Sequence, residues 1–205
     1  MNKLNINNVT CKRGSLLIFN DFSFEISSGQ TFLIKGNNGS GKTSLLRTIS
    51  GFIKAYKGEI LYDQKNIFTY PEYLNNFQFI GQKNALKDNL SVKKNIHLWE
   101  LLFKKSIEIE NILNIFHLNR FKNKDVSTLS EGQKKCLSLS RLFLKPTPVW
   151  LLDEPYVYLD EKNKTDLNKK IFEFNQGGGI VIITSNINLD FEFHQTINLS
   201  NYAIQ

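Results

Sequence analysis

A chain of 205 residues with 41% apolar content is long enough for one sizeable buried core and short for two, so a single domain over residues 1–205 is expected. No run approaches the roughly 20 apolar residues of a membrane-spanning helix, and Met1-Asn2-Lys3-Leu4-Asn5-Ile6 alternates polar and apolar residues instead of building the core of a secretory signal. The net charge of +7 comes from scattered residues, nearly all lysine, with only Arg13, Arg47, Arg120 and Arg141 as arginines, so the clustered basic face of a nucleic-acid binder is missing and no nucleic-acid partner is expected.

The expected elements alternate between strand and helix. Leu4 and Ile6 give a weak two-residue period, and Phe22-Ser23-Phe24-Glu25-Ile26 gives a clear one, which together point to antiparallel strands near the N-terminus. Thr31-Phe32-Leu33-Ile34 is an apolar strand that runs into a glycine-rich loop, and Thr43 to Ile49 continues as a helix. Short strands follow at Gly58 to Tyr62 and at Phe77 to Ile80. The middle is helical: Ser91 can cap a helix carrying Val92, Ile96, Trp99 and Phe103 on one face, and a second helix takes Ile109, Ile112, Leu113 and Phe116. A helical subdomain over about 83–130 is therefore expected. Pro148 to Leu152 and Gly179 to Thr184 are continuous apolar runs of the kind buried on both sheet faces. A polar helix from about Asp160 to Asn175 lies between them, so the expected core is α/β with a mostly parallel sheet. Cys11 and Cys136 have no partner spacing for a metal or a disulfide framework and are expected to pack as small apolar residues.

Three segments carry chemistry. Gly36-Asn37-Asn38-Gly39-Ser40-Gly41-Lys42-Thr43, with Ser44 next, satisfies G-x-x-x-x-G-K-[ST] between a strand and a helix. Its backbone N–H groups and the helix start are suited to a polyphosphate, Lys42 to the β- and γ-phosphates, and the Thr43 hydroxyl to Mg²⁺. ATP and Mg²⁺ are the cofactors this implies. The run Val149-Trp150-Leu151-Leu152 ends in Asp153 and Glu154, where an α/β sheet presents ligands. Asp153 suits the Mg²⁺ sphere and Glu154 suits general-base work on a water. Leu129-Ser130-Glu131-Gly132-Gln133 opens a helix through Leu144. Ser130 reads equally as a helix cap or as part of an anion site.

In this order, with Gly81-Gln82 after a strand and Leu159-Asp160 after the acidic pair, the segments resemble the ATP-binding cassette (ABC) ATPases over nearly the whole chain. The resemblance implies a P-loop NTPase core, an N-terminal antiparallel β subdomain and a helical insertion. It also implies a head-to-tail homodimer in which Ser130, Gly132 and Gln133 of one copy close over ATP held by the other, with Asp160 at the interface. By the same resemblance Gln82 contacts Mg²⁺ or the attacking water. Where the family usually carries a histidine after the last core strand, this chain has Asn186, which can hydrogen-bond a phosphate but cannot carry its proton. Arg13 stands near the position of the family's adenine-stacking aromatic, and stacking and ordinary surface exposure are both open for it.

Cys11-Lys12-Arg13-Gly14, the P-loop followed by Ser44-Leu45-Leu46-Arg47, and the short chain resemble the CcmA family, the ATP-binding subunits of haem exporters in c-type cytochrome maturation. That implies CcmB/CcmC-like integral membrane permease subunits as partners and a peripheral place on the cytoplasmic face of the inner membrane. A groove for such a partner would show as Trp99 and its neighbours exposed on the helical insertion. Inward packing of Trp99 is the competing expectation.

Overall fold

The computed structural model describes residues 2–104, 106 and 108–202. Their elements, in chain order, are β1 (Lys3–Arg13), β2 (Leu16–Ser27), β3 (Thr31–Lys35), α1 (Lys42–Ile49), β4 (Lys57–Tyr62), β5 (Lys65–Asn66), β6 (Phe77–Ile80), α2 (Val92–Phe103), α3 (Ile109–Asn114), α4 (Glu131–Ser140), β7 (Val149–Asp153), α5 (Glu161–Gln176), β8 (Ile180–Ser185) and β9 (Gln195–Asn198), with short 3₁₀ turns between some of them. They form two compact units. One takes the described residues of 1–79, 147–154 and 171–205, the other those of 80–146 and 155–170.

The first unit holds both sheets. An antiparallel sheet has the order β2-β1-β4-β5, and a second sheet has the order β6-β7-β8-β3-β9. In the latter, β7 and β8 are buried at every position, which is what their unbroken apolar sequence demands when both faces are covered. β8 pairs in parallel with β7 on one side and with β3 on the other, from Val149↔Ile180 to Asp153↔Thr184 and from Thr31↔Val181 to Lys35↔Ser185. The C-terminal ends of β3, β7 and β8 therefore finish side by side. Aromatic rings pair within and against a mainly aliphatic core: Phe24 stacks on Phe32 at 4.1 Å and Phe22 meets Tyr202 edge-on at 5.1 Å.

The N-terminal hairpin is longer than its alternating residues suggest. β1 and β2 stay paired to Arg13↔Leu16, but register shifts between Ile6 and Val9, Val9 and Cys11, and Cys11 and Lys12 break the two-residue period. Cys11 is buried, as is Cys136 in the second unit, and burial pushes the Cys136 thiol up to about 12.

In the second unit α2 begins where Ser91 Oγ accepts the Lys94 N–H at 3.3 Å. Val92, Ile96 and Trp99, spaced four and three apart, are buried. Trp99 is only 6% exposed, and the Arg141 guanidinium sits 5.7 Å from its ring centre. The exposed apolar residues of this helix are instead Leu101 and Leu102. The helix expected to reach Leu144 stops at Ser140 and tightens into a 3₁₀ turn over Arg141–Phe143. Among the described residues no helix is long and apolar enough to cross a membrane.

Candidate functional site

The three strand ends of the first unit carry the chemistry. β3 passes into the glycine-rich loop, and α1 starts at Lys42 behind Gly41, whose φ is +94°. A Cβ at Gly41 would lie 2.4 Å from Ile18 Cγ2, so both the conformation and the space exclude a side chain there. The loop can thus curl tightly enough to turn its N–H groups toward an anion in front of α1. Ser40 Oγ, in the same loop, is buried and has no hydrogen-bond partner. An orphaned buried hydroxyl beside a helix start is what a phosphate oxygen would satisfy.

Lys42 is folded back over the loop. Its ammonium donates to the carbonyls of Gly36 at 2.7 Å and Asn37 at 3.1 Å, and it pairs with Glu154 at 3.3 Å, both side chains being 6% exposed. Thr43 Oγ1 donates to Asp153 Oδ2 at 2.8 Å. The other oxygen, Oδ1, accepts from Thr184 Oγ1 at 2.7 Å. Glu154 follows with a φ of +50°, a strained value for a side chain of this size, and its N–H donates to Thr184 Oγ1 at 3.1 Å. The main-chain N–H of Asn186 donates to Glu154 Oε2 at 3.2 Å, and the Asn186 amide reaches Asn38 Oδ1 at 3.0 Å. One carboxylate with both oxygens fixed thus stands beside a second that is paired to the loop lysine. By its chemistry the first carboxylate can ligate a hard cation and the second can accept a proton. Ser44 lies in the first turn of α1, while Arg13 is exposed at the end of β1, just before the Gly14 turn.

The remaining candidates lie in the second unit. Ser130 caps α4 in a reciprocal box: its Oγ accepts the Gln133 N–H at 3.3 Å, and Gln133 Oε1 accepts the Ser130 N–H at 3.0 Å. The cap uses the Gln133 amide oxygen and the Ser130 hydroxyl oxygen as acceptors, so the Gln133 NH2 and the Ser130 hydroxyl proton are not consumed by it. Gly132 has a packing reason of its own, because a Cβ there would meet the Tyr158 carbonyl at 2.6 Å. Asp160 Oδ1 accepts the Asn163 N–H at 2.8 Å and so caps α5. Gln82 lines a cavity of about 420 Å³ together with Lys83, Asp88, Glu131, Lys134 and Tyr158.

Sequence reasoning passed over Thr184 as one residue of a buried strand. The signal available was the first of two hydroxyls, Thr184 and Ser185, that close an otherwise aliphatic run.

A family model described as ABC transporter matches residues 19–157. The chain is similar to "Cytochrome c biogenesis ATP-binding export protein CcmA" of Haemophilus influenzae, 30% identical over 99% of this chain and 98% of that protein. It is also similar to "ABC transporter I family member 1" of Arabidopsis thaliana, 34% identical over 93% of this chain and 84% of that protein. Among solved structures, a putative ABC transporter ATP-binding protein from Pyrococcus furiosus superposes with a TM-score of 0.84 at 26% identity, covering 98% of this chain and all of that one. With the loop, the acidic pair and the capped L-S-x-G-Q helix in place, the chain belongs to the ABC transporter family of ATP-binding proteins.

Proposed function

We propose that this chain is the ATP-hydrolysing subunit of a membrane transport complex that serves haem export or release for c-type cytochrome maturation. The observation that carries the chemistry is the constellation of Lys42, Thr43, Asp153 and Glu154 at adjoining strand ends. The relatives described as cytochrome c biogenesis export proteins support the cargo.

In this reading the loop from Gly36 to Gly41 and the first turn of α1, from Lys42 to Ser44, hold the phosphates. Lys42 exchanges its carbonyl partners for phosphate oxygens. Glu154 accepts a proton from the attacking water, steered by the Asn186 N–H. Mg²⁺ fits the paired oxygens of Thr43 and Asp153, since a hydroxyl and a carboxylate are hard donors. Those two residues would hold it, with Gln82 assigned to it by resemblance alone. When bound, the ion neutralises charge on the phosphates.

The free Ser130 proton supports a homodimer in which Ser130 and Gly132 of one copy meet nucleotide on the other, with Asp160 beside them. Two-fold symmetry then gives two equal sites. Small CcmB/CcmC-like permease subunits are the proposed partners, with this chain on the cytoplasmic face of the inner membrane. Affinity purification of a tagged copy from native membranes in mild detergent, followed by mass spectrometry, tests the assignment. Recovery of haem-handling membrane proteins is expected. A different permease removes haem and keeps transport, and the chain alone removes both.

Asn186 favours a second reading, a nucleotide-driven switch with little turnover, because an amide cannot shuttle a proton. Its main-chain N–H holds Glu154 whatever the side chain is, so Asn186→His is expected to raise kcat by less than about tenfold. A gain on the order of 10², the scale of a missing acid–base group, would promote the switch reading.

A further inference from the structure

Thr184 joins the two acids of the first unit. Its side chain is fully buried at the end of β8, opposite Asp153 in the parallel ladder. A threonine hydroxyl has one proton to give and lone pairs to receive with. Here the proton goes to Asp153 Oδ1 at 2.7 Å and a lone pair receives the Glu154 N–H at 3.1 Å. Because Thr43 donates to the other Asp153 oxygen, the plane of that carboxylate is set from both sides.

Glu154 precedes Pro155, and residues before proline favour extended backbone. Its left-handed φ of +50° therefore runs against local preference, and such a conformation persists only where its surroundings fix it. The Thr184 hydroxyl is one of the groups that does so. The adjacent hydroxyl is engaged elsewhere, since Ser185 Oγ donates to the Ile187 carbonyl and accepts the Ile187 N–H, both within the turn that follows β8.

We propose that Thr184 is a positioning residue for ATP hydrolysis: one hydroxyl fixes the carboxylate of Asp153 and ties down the strained turn that aims Glu154 into the site. The role rests on the ATPase reading above. Thr184→Val keeps the shape of the side chain and removes the hydroxyl, while Thr184→Ser keeps the hydroxyl and removes the methyl.

The first readout needs no nucleotide. Amide hydrogen exchange of the full chain should show the Glu154 N–H exchanging about tenfold faster or more in T184V, and near the wild-type rate in T184S. The second readout is kinetic. In T184V kcat should fall about 10- to 100-fold while KM for ATP moves by less than about threefold, and T184S should stay within about threefold of wild type in both. Circular dichroism checks folding; should T184V fold poorly, Thr184→Ala, which leaves room for a water, takes its place with the same expected loss of exchange protection. Unchanged exchange at Glu154, normal turnover in T184V, or a T184S as slow as T184V each overturns the proposal. A wild-type chain without ATP turnover overturns the ATPase reading and this role with it, an outcome distinct from normal turnover in T184V, which removes Thr184 alone.

Discussion

Replacing Glu154 with glutamine is expected to slow ATP turnover by about 10²- to 10⁴-fold, the range a general base contributes, while nucleotide binding is kept or strengthened. The carbonyl of the new side chain can still accept the Asn186 N–H that Glu154 Oε2 accepts now at 3.2 Å, so the geometry survives and only the basicity goes. The substitution also removes the negative partner that holds Lys42 at 3.3 Å. Lys42 keeps its two carbonyl partners, Gly36 and Asn37, which are weaker competitors for an ammonium than a carboxylate. A bound phosphate then displaces less. Phosphate release gives the turnover and a fluorescent nucleotide analogue gives the affinity. Turnover within tenfold of wild type would remove Glu154 as the base.

Replacing Lys42 with methionine is expected to act twice. Affinity for ATP should drop on the order of 10²-fold or more, because the ammonium folded over the phosphate loop is lost. Folding stability should also fall, by about 3–5 kcal/mol, since one partner of a buried ion pair is removed and the other stays buried. Both side chains are only 6% exposed, so water does little to relieve the stranded carboxylate. The double variant Lys42→Met with Glu154→Gln separates the two effects. It should recover more than half of the lost stability, read from urea midpoints at constant m, and none of the lost affinity. A double variant no more stable than Lys42→Met would mean that the ion pair is not what holds this region.

The sequence made the parallel core legible because burial on both faces leaves only aliphatic residues to use, as in Ile180-Val181-Ile182-Ile183. The glycine-rich loop was legible for the opposite reason: Gly41 sits at φ +94° against Ile18, where no other residue fits. Less could be read where tertiary context overrides local pattern. The register shifts hid the length of β1, and β9 is an edge strand, Gln195-Thr196-Ile197-Asn198, with one partly buried apolar residue to announce it. Trp99 shows how a helix face settles competing demands: its ring packs inward beside Arg141 and leaves Leu101 and Leu102 outside. The acidic pair could be read from Asp153 and Glu154, but the hydroxyl joining them lies 30 residues from Glu154 and meets it only through strand pairing.

That pairing has a consequence for how the chain can change over time. The spacing of Asp153 and Glu154 from Thr184 is set by counting residues along β7 and β8 from Val149↔Ile180 to Asp153↔Thr184. Exchanging isoleucine for valine or leucine along these strands alters packing slightly and moves no end point. Inserting or deleting one residue would put Ile183 or Ser185 level with Asp153 and point it to the opposite face. Strand length here is therefore a stricter inheritance than strand composition, and drift at 30% identity is compatible with an unmoved site as long as the count is preserved.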